Sequence, residues 1–423
     1  MNKIEFYKET NFKQTEIGEI PIDWKITNLS DKEVAEIIMG QSPPSTTYNK
    51  NGRGLPFLQG KMEFGEIYPS PAIYCSNPLK VAEQNDVLIS VRAPVGDVNI
   101  APYKLCIGRG LAAIRFNPEK ANFQFYFYYL KKIKSFLENL GKGSTFKAIN
   151  RDDLERLKIP LPPFEEQRAV AWVLSVVDLA IQRTDMVIAK TERLKKGLMQ
   201  TLLTKGIGHK EFKDTEIGKI PKTWQIVSLK DVVVEAKSGF ACGQRDENGI
   251  LQLRMDNIDP EGWINMEAGV KVPPPPDVED YILKPGDILF NNTNSVDLIG
   301  KTAIFRGEFP RCVYSNHITR IRVNQKKIVP EWILYLLIRK WELGVFKAIC
   351  HRHVHQAGIN NEDLLRLKIP LPPIEEQQAI VSTILANDNV LKFQRNEKAK
   401  LERIKQGLMD LLLTGKVRVK VIK

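Results

Sequence analysis

Apolar side chains recur every three or four positions along two long stretches of the chain. The first stretch runs through Val170, Leu174, Val177, Ile181, Thr184, Ile188, Thr191, Leu194, Leu198 and Leu202. The second, 210 residues later, runs through Ile380, Ile384, Asn387, Leu391, Gln394, Lys398, Leu401, Ile404, Leu408 and Leu412. This spacing places one apolar stripe on a helix, so each stretch predicts a helix of about 40 residues, ~60 Å long, with a coiled-coil seam. Leu174, Ile181, Ile188 and Leu198 are the seam positions expected to meet Ile384, Leu391, Leu401 and Leu408. Pro160 to Pro163 cannot continue a helix, and Glu165 and Glu166 complement the dipole of the first turn that follows. Asn387, Gln394 and Lys398 interrupt the second seam. Either they set register against the first helix or they face solvent on a rotated one, and the pattern leaves both open.

Outside these stretches the pattern shortens. Strand-like runs appear in 87–100 (VLISVRAPVGDVNI), 111–116 (LAAIRF), 286–295 (GDILFNNTNS), 299–305 (IGKTAIF) and 317–323 (HITRIRV). Two aromatic and aliphatic segments, 123–140 and 330–346, read as helices. Strands mixed with helices, without regular alternation, predict α+β domains rather than a doubly wound sheet.

The chain is also written twice. FKQTEIGEIPIDW (12–24) and FKDTEIGKIPKTW (212–224) agree at nine of thirteen positions. LERLKIPLPPFEEQ (154–167) and LLRLKIPLPPIEEQ (364–377) agree at twelve of fourteen. RLKKGLMQTLLT from Arg193 and RIKQGLMDLLLT from Arg403 form a third pair. Three ordered blocks mean a tandem duplication. Its plan is an N-terminal segment (1–24), a divergent domain (25–150), a helical spacer (151–210), the repeated segment (211–224), a second divergent domain (225–360) and a second spacer (361–423). Helices related by an approximate two-fold axis that cross it run antiparallel. The expected architecture is therefore two α+β domains joined by two long antiparallel helices. Trp24 and Trp224, being repeated, are expected to pack where domain meets spacer.

Composition narrows the function. Hydrophobic residues make up 43% of the chain, and the longest nearly apolar run, 169–181, is too short and too polar to span a bilayer. The N-terminus lacks the apolar stretch of a signal peptide. Five scattered cysteines without a Cys-x-x-Cys support neither a disulfide framework nor a zinc ribbon, so a cytoplasmic protein is expected. The net charge of +12 favours a polyanionic partner. The first divergent domain carries 16 basic and 10 acidic residues, the second 17 and 16, so the second must concentrate its charge locally.

The order TEIGxIPxxW, variable domain, LKIPLPPxEEQ, long helix ending RxKxGLMxxLLT, all of it repeated, resembles the specificity subunits of type I DNA restriction-modification systems. GQSPPSTTYN (40–49), GLPFLQG (54–60), SVRAPVGDVNIA (90–101) and GDILFNNTNSVDLIGKTAIF (286–305) add to the likeness. The resemblance implies a non-catalytic subunit with two target-recognition domains, each reading half of a bipartite, asymmetric site in double-stranded DNA. It also implies helices that set the spacing and dock two adenine-N6 methyltransferase subunits, with motor-nuclease subunits joining for restriction. S-adenosylmethionine, Mg and ATP would then belong to the partners, and this chain would hold no cofactor. The sequence agrees that chemistry is absent. It has no Asn/Asp-Pro-Pro-aromatic methyltransferase box, and 140–145 (LGKGST) lacks the order of a Walker A loop. A stand-alone DNA methyltransferase, the specificity subunit of a methylation-only or type IIB-like system, and a repeat protein that binds other proteins stand as alternatives.

Base reading needs long donors or amides. In the first domain the candidates are Gln59, Lys61, Arg92, Arg109, Lys142 and Ser144; in the second they are Arg254, Asn292, Asn294, Ser295, His351, Arg352 and His353. The plain alternatives are internal salt bridges for Arg92 and Arg109, and turn chemistry for Asn292 and Asn294. His351, His353 and His355 would share one side of an extended segment, as metal ligands do. Their counterpart 140–145 holds no ligand, so a DNA-facing or plain surface loop is expected and no metal. The basic clusters at 193–196 and 403–405 read as helix-end solvation or as a methyltransferase dock.

Overall fold

The structure, a computed structural model, describes residues 3–140, 148–352 and 356–422. The chain forms two compact units, residues 1–186 with 395–423, and 187–394. The duplicated blocks recur in both. In each unit a hairpin (Phe12–Thr15 with Gly18–Pro21; Phe212–Thr215 with Gly218–Pro221) leads to the repeated tryptophan. In each, too, the strand before a long helix pairs back on the strand after that tryptophan: Lys158–Leu161 on Lys25–Asn28, and Lys368–Leu371 on Gln225–Ser228.

The divergent segments build the same α+β arrangement from different residues. The first unit has an antiparallel sheet ordered Val98–Ile100, Val87–Ser90, Leu111–Phe116, Ala35–Met39. A five-stranded sheet accompanies it, in which Leu55–Leu58 runs parallel to Leu105–Ile107. The second unit repeats the four-stranded sheet as Val233–Ser238, Ile318–Val323, Ile288–Asn291, Thr302–Ile304. There Ile250–Leu253 and Cys312–Tyr314 form the parallel pair. Val87–Ser90, Ile288–Asn291 and most of their neighbours are buried on both faces, which is why these strands read as continuous apolar runs.

Both predicted domain helices are shorter than expected. Phe123–Lys132, capped by Asn122, stops at Ile133 before a second helix, Lys134–Leu140. Pro330–Glu342 opens on proline and ends before Gly344, whose φ of 73° a side chain would resist. The long helices are Phe164–Lys205 and Ile374–Leu412. In the first unit Asp178 pairs with Lys405 and Asp185 with Lys398, so seven steps forward on one helix are seven back on the other. The helices are therefore antiparallel there. In the second unit Lys195 pairs with Asp388, with Met199 and Leu203 in one core with Ile380 and Ile384.

The seam is unevenly buried. Leu174, Ile384 and Leu391 are fully enclosed, whereas Ile181, Ile188, Leu198, Leu401 and Leu408 are half-buried. Asn387 is enclosed and Lys398 binds Asp185, so these two polar interruptions face the helix contact rather than solvent. Lys195 and Lys405 likewise turn inward from their basic clusters, against the reading of simple solvation. Trp24 and Trp224 are fully buried, and their indole N–H groups donate to Glu166 (3.1 Å) and Glu376 (2.9 Å). No helix among the described residues is long and apolar enough to cross a membrane.

Candidate nucleic-acid interface

One backbone scaffold recurs at the strand ends of both domains. In the first unit Gly40 follows a strand and lies so close to the 108 carbonyl that a Cβ would stand 2.2 Å from its oxygen. The N–H of Gly108 donates to Leu58, that of Val91 to Gly110, and that of Ile149 to Val91. In the second unit a Cβ at Gly239 would stand 2.1 Å from the Tyr314 oxygen. Ser315 donates to Leu253, Asn292 to His317, and Ile359 to Asn292. Each bond has its twin, so Gln59 corresponds to Arg254, Arg92 to Thr293, Arg109 to Asn316 and Gly110 to His317. Beneath each scaffold lies a matching ion pair, Arg115 with Asp86 and Arg322 with Asp287. Burial raises the Asp86 carboxyl pKa, and the Arg115 guanidinium only partly offsets this.

The first scaffold gathers Gln59, Arg92 and Arg109 on adjacent chain crossings, all three exposed. Ser42 Oγ accepts from both Gln59 Nε2 (2.9 Å) and the Arg109 N–H (3.1 Å), which orients the amide and the loop together. Arg92 and Arg109 have no carboxylate partner among the described residues, which removes the salt-bridge alternative for them. Lys61 behaves otherwise. It pairs with Asp97, which also takes Lys134 at 2.6 Å. Burial acts to raise that carboxyl pKa, but the two ammonium groups outweigh it and hold it below the usual range. Lys142 and Ser144 lie outside the described residues.

The second scaffold joins a three-stranded ribbon in which Thr293–Asn294 and His351–Arg352 flank Ala357–Gly358. Asn294, Ser295, His351 and Arg352 are thereby brought to one region. Asn292 is not a free reader. It is buried at the break between the strands Ile288–Asn291 and Thr293–Asn294, with Nδ2 donating to Thr319 Oγ1 (3.0 Å) and the Asn316 carbonyl (3.1 Å). Asn294 sits in a strand with Oδ1 accepting from the Ser295 N–H. Arg254 is half-buried and donates to the Cys242 carbonyl. His351 Nε2 lies 2.8 Å from Asp363 Oδ2, and that hydrogen bond lowers the aspartate's pKa. His353 and His355 lie outside the described residues, and among those described no cluster of His, Cys, Asp or Glu is arranged to hold a metal.

Sequence reasoning missed Ser42, Thr293, Asn316 and His317. The signal was present: IGRGLAAIRF (107–116) and YSNHITRIRV (314–323) share Ile-Arg at the same place, which aligns Arg109 with Asn316.

The model of the type I restriction modification DNA specificity domain matches residues 21–191 and again 221–403. The chain belongs to this family. It is a type I restriction-modification specificity subunit. It is 31% identical to the type I restriction enzyme MjaVIII specificity subunit of Methanocaldococcus jannaschii, over 99% of this chain and 98% of the relative. It is 56% identical to the MjaX specificity subunit of the same organism over 198 residues, 47% of each chain. In the solved structures, the fold resembles the type I S subunit from M. genitalium, with a TM-score of 0.63 and 16% identity over 92% of this chain and 96% of that one. That likeness supports the two-domain, long-helix architecture of the family.

Proposed function

We propose that each unit's divergent domain, 25–150 or 225–360, reads one half of a bipartite, asymmetric DNA site. The paired helices set the spacing of the halves and dock two adenine-N6 methyltransferase subunits, with motor-nuclease subunits completing a restriction complex. One observation carries this reading. A single backbone scaffold is built twice, and the side chains at its matching positions differ: Gln59, Arg92 and Arg109 on one, Arg254, Thr293 and Asn316 on the other. A fixed frame with exchanged donors is what two readers of two sequences require, since base edges are distinguished by their donors and acceptors. The unpaired arginines add the salt-sensitive phosphate attraction of a DNA-binding face.

The test replaces 25–150 with the corresponding domain of another specificity subunit, co-expresses the chimaera with its methyltransferase, and maps methylated adenines. One half of the methylated motif should change and the other should stay. A folded chimaera in which both halves change, or methylation by the chain without its partner, is incompatible with the proposal.

A further inference from the structure

Each unit contains a buried tyrosine–aspartate–lysine network that ties three helices at one point. In the first, the Tyr128 hydroxyl donates to Asp178 Oδ2 at 2.6 Å, and Lys405 Nζ lies 2.5 Å from Asp178 Oδ1. In the second, Tyr335 donates to Asp388 Oδ2 at 2.9 Å, and Lys195 Nζ lies 2.6 Å from Oδ1. The tyrosine comes from the domain helix, the aspartate from one long helix and the lysine from the other. Asp178 is 6% exposed and Asp388 3%.

The repeat makes this retention informative. Between 168 and 188 the two long helices share only two of 21 residues, Ala169 and Asp178, with 379 and 388. The apolar seam positions have all changed; the buried charge has not. Buried ion pairs add little net stability compared with apolar packing, and their best-attested use is to specify register. The seam alone is a weak guide, since Thr184, Thr191 and Gln394 interrupt it. A slip of four residues leaves apolar contact possible but sets Asp178 against Leu401 or Met409, stranding a buried charge.

We infer that the two networks are register locks: Tyr128, Asp178 and Lys405, with Tyr335, Asp388 and Lys195, are positioning residues that fix the half-site spacing. This rests on the bipartite reading proposed above. The aspartate fixes the helix pair through lysine and the domain through tyrosine, so one group holds both the helix register and the domain's seat on it.

The test is the full chain with its methyltransferase, carrying Asp178→Leu, Lys405→Met, Asp388→Leu and Lys195→Met, on a library of sites with spacers varied one base pair at a time. Thermal unfolding verifies the fold. Off-length spacers should gain methylation at least about tenfold over wild type, within the roughly 10²-fold or more that a stranded buried charge disfavours a slipped register, and both half-sites should keep their sequences. A folded variant confined to the original spacing overturns the lock. If the quadruple variant does not fold, Asp178→Asn with Asp388→Asn takes its place. It keeps the side-chain shape and removes the charge of both inter-helix pairs, and unchanged spacer selectivity in it likewise overturns the lock. Wild-type enzyme that methylates no bipartite site overturns the underlying reading instead.

Discussion

Truncating Arg92 or Arg109 to alanine removes an exposed cation that touches no carboxylate among the described residues, so the cost falls on DNA and not on the fold. Each variant should bind DNA fragments more weakly, with the slope of log affinity against log salt falling by about one. Unfolding free energy should stay within about 0.5 kcal/mol of wild type. Fluorescence anisotropy across a salt series, beside thermal melts, measures both. Asn292→Ala should do the reverse. It deprives Thr319 and the Asn316 carbonyl of their donor, and should cost about 1–3 kcal/mol of stability with phosphate affinity unchanged. Denaturant unfolding at equal m-value reads that difference. Acid sensitivity belongs to Arg418, which is buried and pairs with Glu166, Glu9 and the exposed Asp23. Its hydrogen bond holds the Asp23 carboxyl below the usual range, outweighing the effect of burial. The folded pKa thus lies below the unfolded value of about 3.9, so this group stabilises above that pH and loses its contribution as pH falls through the folded value. Arg418→Met should be less stable at neutral pH and lose less of the remainder below about pH 4. A melting series from pH 7 to pH 3 on both proteins would show equal acid slopes if Asp23 and Arg418 were uncoupled.

At the scale of elements, the helix pair answers to length. Lengthening one helix alone would pull Asp178 and Lys195 out of step with partners on the other. Matched four-residue insertions, after Met186 and after Asn396, leave each pair its own surroundings. Each inserted turn adds about 6 Å, so half-sites should separate by one or two base pairs at about 3.4 Å each. Four residues overshoot a full turn by about 40°, so activity should fall while the half-site sequences persist. Mapping methylated adenines decides: full methylation at the original spacing alone removes the helices as the ruler. The periodicity that predicts these helices is strong because 40 residues of seam repeat one signal. The domain helices were over-extended because Gly344 and Ile133, which end them, each act at a single position inside an otherwise helical pattern.

At the scale of the whole molecule, the sequence by itself determined the duplication, the α+β class, the long antiparallel helices and the place of Trp24 and Trp224. Those features rest on periodicity and repetition, which are local properties that any stretch of chain displays unaided. It also named Gln59, Arg92 and Arg109 by residue type, because long donors are scarce enough to list. Only the tertiary structure decided which donors stand free. Asn292 and Lys61 have the right chemistry, yet one is spent on Thr319 and the other on Asp97, partners met only when distant segments fold together. Asn316 and His317 enter through hydrogen bonds that cross from strand to strand, invisible to residue type. The Tyr128–Asp178–Lys405 network joins three residues spread over most of the chain, and nothing in their local pattern announces it. A burial-dependent role is set by what surrounds a side chain, and the surroundings exist only once the chain has packed.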